Sequence, residues 1–183
     1  MKVLILILLA GPFLPTPIGF GAHRSAQSPE DHGRSSGLQF WVDLDRRSYQ
    51  LSGGTLRLRL SFKNVSGAPI ALFTDMGWGP GSSLMLTITD EEGRGMTGEV
   101  LSDAHDYPPY DRKKFKTLEP GEQFRFARLI DLESEGVKKA GTYRLTVRYH
   151  CPVTKDALPE GIQNAWTADK GPLSCTVSFS VTE

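Results

Sequence analysis

From Leu56 to Lys63 the chain alternates without a break: Leu56, Leu58, Leu60 and Phe62 are apolar, and Arg57, Arg59, Ser61 and Lys63 stand between them. Successive side chains of a β-strand point to opposite faces, so this spacing gathers the apolar groups on one face and the polar ones on the other. A helix would scatter the charges around its axis. The same period recurs. Tyr143, Leu145, Val147 and Tyr149 alternate with Arg144, Thr146, Arg148 and His150, and Val177, Phe179 and Val181 alternate with Ser178, Ser180 and Thr182. Weaker versions cover Phe40–Asp45, Ile70–Thr74, Leu84–Thr89, Met96–Leu101 and Phe124–Leu132. Turn residues lie between them at Asn64-Val65-Ser66-Gly67, Glu91-Glu92-Gly93, Pro120-Gly121 and Ala140-Gly141. No window holds three turns of helical periodicity; Glu133–Lys139 has room for one turn at most. About eight short strands with turns between them predict an all-β chain, an antiparallel sandwich or barrel.

The first residues point to export. Lys2 precedes the unbroken apolar run Val3–Ala10, then come Pro12, Pro15 and Pro17 and the small residues Gly19 and Gly21. This is the order of a secretory signal peptide cut after Gly21. The run is far shorter than the roughly 20 residues a membrane span requires, so no span is expected after cleavage. Residues 22–37 are polar and Gly/Ser-rich and read as a flexible tether, and 38–183 as one folded domain. The chain carries 21 basic and 21 acidic side chains. That balance, with no basic stripe, argues against nucleic acid and against an anionic membrane surface as partners. The expected location is extracytoplasmic, periplasmic or secreted.

Leu118-Glu119-Pro120-Gly121-Glu122, an apolar strand, and then Gly141-Thr142-Tyr143-Arg144-Leu145-Thr146-Val147 resemble bacterial extracytoplasmic immunoglobulin-like domains. The likeness covers about the last third of the chain. It implies an immunoglobulin-like sandwich in which Tyr143 is the tyrosine corner, its hydroxyl tied back to a nearby backbone group. The Leu-x-Pro-Gly-Glu turn is also similar to one in domains related to a bacterial proteinase inhibitor. Antibody-type domains have Cys two residues after that Tyr; Leu145 stands there instead, so their inter-sheet disulfide is not expected.

Cys151 and Cys175 are the only cysteines. Each continues the apolar face of its strand, and export favours oxidation, so a Cys151–Cys175 disulfide is expected. It would close a loop of about 25 residues, worth on the order of 3 kcal/mol in the chain-entropy model. Two buried thiols are the alternative, and a catalytic or metal-bound Cys beside His150 a weaker one.

Chemistry-bearing patterns are sparse. Gly33-Arg34-Ser35-Ser36-Gly37 spells a nucleophile elbow but lies in the tether, with no strand and helix beside it. Asp103, His105, Asp106 and Asp111 form an oxygen-rich cluster whose spacing matches no calcium loop; a polar surface loop is the simpler reading and a metal site the weaker one. Asp90–Gly93 reads as a hairpin turn with solvated charges. Asn64-Val65-Ser66 fits the glycosylation sequon. No catalytic motif is present, and neither enzymatic activity nor a cofactor is expected.

Counting strands as antiparallel in sequence brings the connections 75–83, 102–121 and 152–173 to one end. They carry Trp78, Tyr107, Tyr110 and Trp166. Long loops on a rigid frame are the usual place for binding, and Tyr and Trp are usual anchors. These rings either cap the open end or form a recognition surface. The functional expectation is a non-enzymatic binding or accessory module that recognises a protein or cell-envelope component through this end. Proteinase inhibition by a protruding loop is the alternative, and a metal-dependent enzyme a more distant one.

Overall fold

The computed structural model describes residues 37–79, 82–96 and 109–183. The expected leader, most of the expected tether, the nucleophile-elbow spelling apart from Gly37, Tyr107, and Asp103, His105 and Asp106 lie outside them, as does 97–101 of the strand expected at 96–101.

The chain is mostly strand. Among the described residues these are β1 Leu38–Leu44, β2 Ser48–Gln50, β3 Thr55–Asn64, β4 Ile70–Phe73, β5 Leu84–Thr89, β6 Phe115–Leu118, β7 Gln123–Asp131, β8 Gly141–Tyr149 and β9 Leu173–Thr182. They make three sheets, ordered β1-β3-β7, β2-β9-β8-β5 and β4-β6. All neighbours run antiparallel except β2 and β9, which are parallel. Among the described residues helix is confined to three short 3-10 turns, and none is long and apolar enough to cross a membrane.

The alternation seen in sequence becomes burial. Leu56, Leu58, Leu60 and Phe62 of β3 are buried while Arg57 and Arg59 are exposed. Tyr143, Leu145, Val147 and Tyr149 of β8 and the odd positions 173–181 of β9 repeat the pattern. These faces meet across the two larger sheets. Phe62 packs on Phe40 within its own sheet and, edge-on at 4.8 Å, on Tyr149 of the other. Deeper along the interface Phe179 stacks on Tyr143 and takes the edge of Tyr49. Each fully buried side chain of this size stabilises the fold by about 1.5–3 kcal/mol relative to exposure.

Two short strands escaped the sequence pattern, and both shape the frame. After β1 the chain crosses at Asp45–Arg47 to the other sheet, where Tyr49 of β2 is buried beside β9. The hydroxyl of Tyr49 lies 2.8 Å from both Asp45 Oδ1 and Arg46 O. Strand β6 falls inside the connection expected at 102–121 and pairs with β4, Phe73 opposite Phe115 and Ile70 opposite Leu118.

Local chemistry fixes the turns. At the end of β3, Asn64 is fully buried. Its Nδ2 donates to Ala68 O and Leu118 O, both at 2.8 Å, and its Oδ1 accepts from Ser66 N and Ser66 Oγ. The sequon reading is therefore corrected: the nitrogen a glycan needs is used inside the fold. At the far end, Tyr143 Oη donates to Lys139 O at 2.8 Å. The Asp90–Gly93 turn forms, with Gly93 N on Asp90 O; Asp90 is ion-paired with Arg94 at 2.7 Å rather than simply solvated.

The expected Cys151–Cys175 disulfide is not formed. Strands β8 and β9 do pair, but Cys175 stands opposite Val147. Continuing that register puts Cys151 four residues further along, about 13 Å at about 3.4 Å per residue. A bridge requires Cα atoms no more than about 7 Å apart. Both cysteines face inward, as parity required, and each is buried at a different level of the core.

Candidate functional site

The end of the molecule at which β8 finishes and β5 and β9 begin holds the loop cluster. His150 N donates to Ser83 O, which ties the start of the 150–172 connection to the 74–83 loop. Thr74 N and Thr74 Oγ1 both donate to Lys114 O, and Lys114 Nζ meets Asp75 at 2.7 Å. The described part of the third connection, Pro109–Lys114, thus joins the other two.

Of the aromatic residues expected to anchor a partner, the three described, Trp78, Tyr110 and Trp166, are turned inward. Trp78 and Trp166 are only 7% and 4% exposed. Trp78 is bracketed by backbone bonds of 77–84 and covered by the Arg128 guanidinium at 5.0 Å. Tyr110, half-buried, packs edge-on against Phe73, and its hydroxyl reaches Pro152 O at 3.5 Å. Of the two readings of these rings, the described ones take that of a cap: a flat ring with a dry pocket available gains more from burial than from water. Asp111, the one described member of the acidic cluster, caps the 3-10 turn Arg112–Lys114 by accepting from Lys113 N at 2.8 Å. Among the described residues no three His, Cys, Asp or Glu side chains are grouped as a metal site.

Among the described residues the cap has an opening. Residues 164–166 run alongside β4, with Ala71 N on Asn164 O and Trp166 N on Ala71 O at 2.8 Å. Asn164 Nδ2 also donates to Pro69 O, and Asn164 sits in the left-handed region at φ 47°. Asn tolerates that conformation better than most residues because its short amide bonds locally. Against this added edge lies a cavity of about 330 Å³, lined by Ser66, Ala68, Ile70, Asn164, Trp166 and Lys170 among others. Trp166 contributes to its wall, and Trp166 Nε1 is buried with no hydrogen-bond partner among the described residues. A buried donor left so costs about 1–3 kcal/mol. Sequence reasoning singled out Trp166 but not Ser66, Asn164 or Lys170; an Asn between polar residues in a long loop carries no signal that it lines a cavity.

Two buried groups at this end are shifted upward. Burial pushes the Cys151 thiol up to about 11, aided by nearby Asp169 and opposed by a weak bond to Val153 O. The thiolate, not the thiol, is the nucleophile, so Cys151 is held inert at neutral pH. Burial likewise raises the Tyr149 phenol, with Cys151 adding to it, while its hydroxyl donates to Phe73 O at 3.0 Å.

No protein-family model and no curated protein matches the chain. Twenty-five solved chains bear a distant likeness. A β-glucosidase from Listeria innocua in complex with glucose is 14% identical with a TM-score of 0.37, over 92% of this chain and 20% of that one. A mutant of that enzyme with laminaribiose gives 13% and 0.38 over the same shares. A conserved hypothetical protein from Bacillus anthracis is 12% identical with a TM-score of 0.31, over 64% of this chain and 87% of that one. The chain spans about one fifth of the length of the glucosidases it matches. At these TM-scores the likenesses carry no argument about fold or function.

Proposed function

We propose that this chain is an extracytoplasmic, non-enzymatic binding module with an immunoglobulin-like sandwich fold, which takes a protein or cell-envelope partner at its loop end. Support for the fold half of this reading comes from the strand orders β1-β3-β7 and β2-β9-β8-β5 and from the Tyr143 hydroxyl on a carbonyl four residues back. The leader-like sequence supports the location.

One observation carries the binding half: the buried Trp166 indole N–H, without an acceptor among the described residues, beside a half-open cavity. Buried polar groups in folded proteins are satisfied in the great majority of cases. A carbonyl or carboxylate oxygen of a partner, entering past Asn164 with Lys170 at the rim, completes the set. The inert Cys151 thiol supports binding rather than catalysis.

The test places a photo-crosslinking side chain at position 170 and, in a second chain, at position 138 on the opposite end. Both sites are exposed. Illumination in an envelope extract of the host is expected to give one stoichiometric adduct from position 170 and none from 138. Adding Trp166→Phe, which keeps an aromatic ring and deletes the donor, should abolish it. No adduct at 170, equal adducts from both ends, or indifference to Trp166→Phe would contradict the proposal.

A further inference from the structure

The solvent face of β1-β3-β7 is not a uniform polar surface. The ladder places Trp41 opposite Ser61 and Ser61 opposite Arg125, then Asp43 opposite Arg59 and Arg59 opposite Ala127. Two small residues, Ser61 and Ala127, therefore occupy the middle with long side chains around them. Ser61 is only 5% exposed although it points away from the core, because its neighbours close over it. The result is a groove of about 330 Å³ lined by Trp41, Asp43, Arg59, Gln123 and Arg125, with Ser61 on its floor.

We propose that this groove binds a six-membered sugar ring bearing a carboxylate, a uronic-acid residue of a polysaccharide. Trp41 is the one tryptophan of the three that is not buried, and its indole offers a flat apolar wall suited to the C–H face of a pyranose. The Arg59 guanidinium makes no hydrogen bond or ion pair among the described residues, even though Asp43 stands across from it in the ladder. Arg125 is steadied by its Nη2 bond to Gln123 Oε1 at 3.1 Å. Two guanidinium groups diagonal to one another suit a planar carboxylate, which each can engage with two parallel N–H donors.

Asp43 decides among anions. Its negative charge on the groove wall disfavours a phosphate or a run of acidic residues, which carry charge and no donors. A sugar acid brings one charge together with several hydroxyls, and those hydroxyls can donate to Asp43 and to Gln123 Oε1. The volume stands at the lower end of small-ligand pockets and suits one ring. The groove shares no residue with the loop-end cavity, so it stands or falls independently of the crosslinking result above.

The test titrates the full chain with trigalacturonate, following tryptophan fluorescence and, in parallel, calorimetric heat. Saturable binding is expected, with a fluorescence change that Trp41→Leu removes together with the heat. Arg59→Gln and Arg125→Gln should each weaken binding by on the order of tenfold, the scale of one lost charge-assisted hydrogen bond. Arg148→Gln, the same change of charge on the exposed face of β8, should leave it unaltered. Triglutamate should bind weaker than trigalacturonate by on the order of tenfold. Absence of saturable binding, equal affinity for triglutamate, or an Arg148→Gln effect as large as that of Arg59→Gln would overturn the proposal.

Discussion

Asn64 makes four side-chain hydrogen bonds with no exposed atom to spare, and it joins three stretches of chain: the end of β3, the turn at Ser66–Ala68 and the end of β6. Truncating it leaves Leu118 O without its amide donor and Ser66 N without its acceptor, each worth about 1 kcal/mol or more, while Ala68 O keeps Ser66 Oγ. Asn64→Ala is therefore expected to destabilise the fold by about 2–4 kcal/mol, read as a shift of the urea midpoint with an unchanged slope. The cysteines give a second prediction at this scale. With its pKa pushed up to about 11 by burial, Cys151 should resist iodoacetamide at pH 8 in the native chain and react at once in denaturant. An intact mass two daltons below that of the reduced chain would instead show the bridge. Parity in the sequence correctly put both sulfurs on the inward face. Their offset along the ladder depends on where the connection re-enters β9, which no local pattern encodes.

Strands with long alternation, β3, β8 and β9, were legible because each repeats its period four or five times. Strands β2 and β6 were not: three or four residues give no period, and only tertiary pairing makes them strands. The turn between β2 and β3 shows how a short element is held. A Cβ on Gly54 would collide with Gln50 O, a backbone atom that cannot swing aside. Gly54→Ala should cost about 1–3 kcal/mol, and more than Gly53→Ala, whose position is open although its φ is +68°. The turn after β7 carries a pH dependence. Glu135 has its pKa raised above the ordinary 4.5, by burial first, with Asp131 adding and Arg128 opposing. The folded chain then holds this proton more tightly than the unfolded one, so the stability linked to it is present at low pH and is lost as pH rises through the window above 4.5. Glu135→Gln is expected to raise the Tm at pH 7 and to bring no gain below about pH 4; a gain equal at both pH values would contradict this.

At the scale of the whole molecule, the described parts of the three loops meet at one end, and what that end would be was not legible in the sequence. Long loops with Trp and Tyr read equally as a sticky surface or as a lid. The outcome turned on backbone pairing between segments almost a hundred residues apart, Ala71 with 164–166, which converts part of the connection from β8 to β9 into an added edge of β4. That pairing is what allows a loop region to present a preformed cavity instead of a mobile fringe, and preorganisation lowers the ordering cost of binding. The central claim, that the loop end belongs to the cooperative core, is tested most directly by native-state amide hydrogen exchange of the unliganded chain. The backbone amides of Ala71, Trp166 and Ala168 are expected to exchange with opening free energies equal to those of β3 and β8, by global unfolding. Exchange of these three amides through a low-energy local opening, while β3 and β8 stay protected, would contradict it and detach the cavity from the fold that is said to hold it.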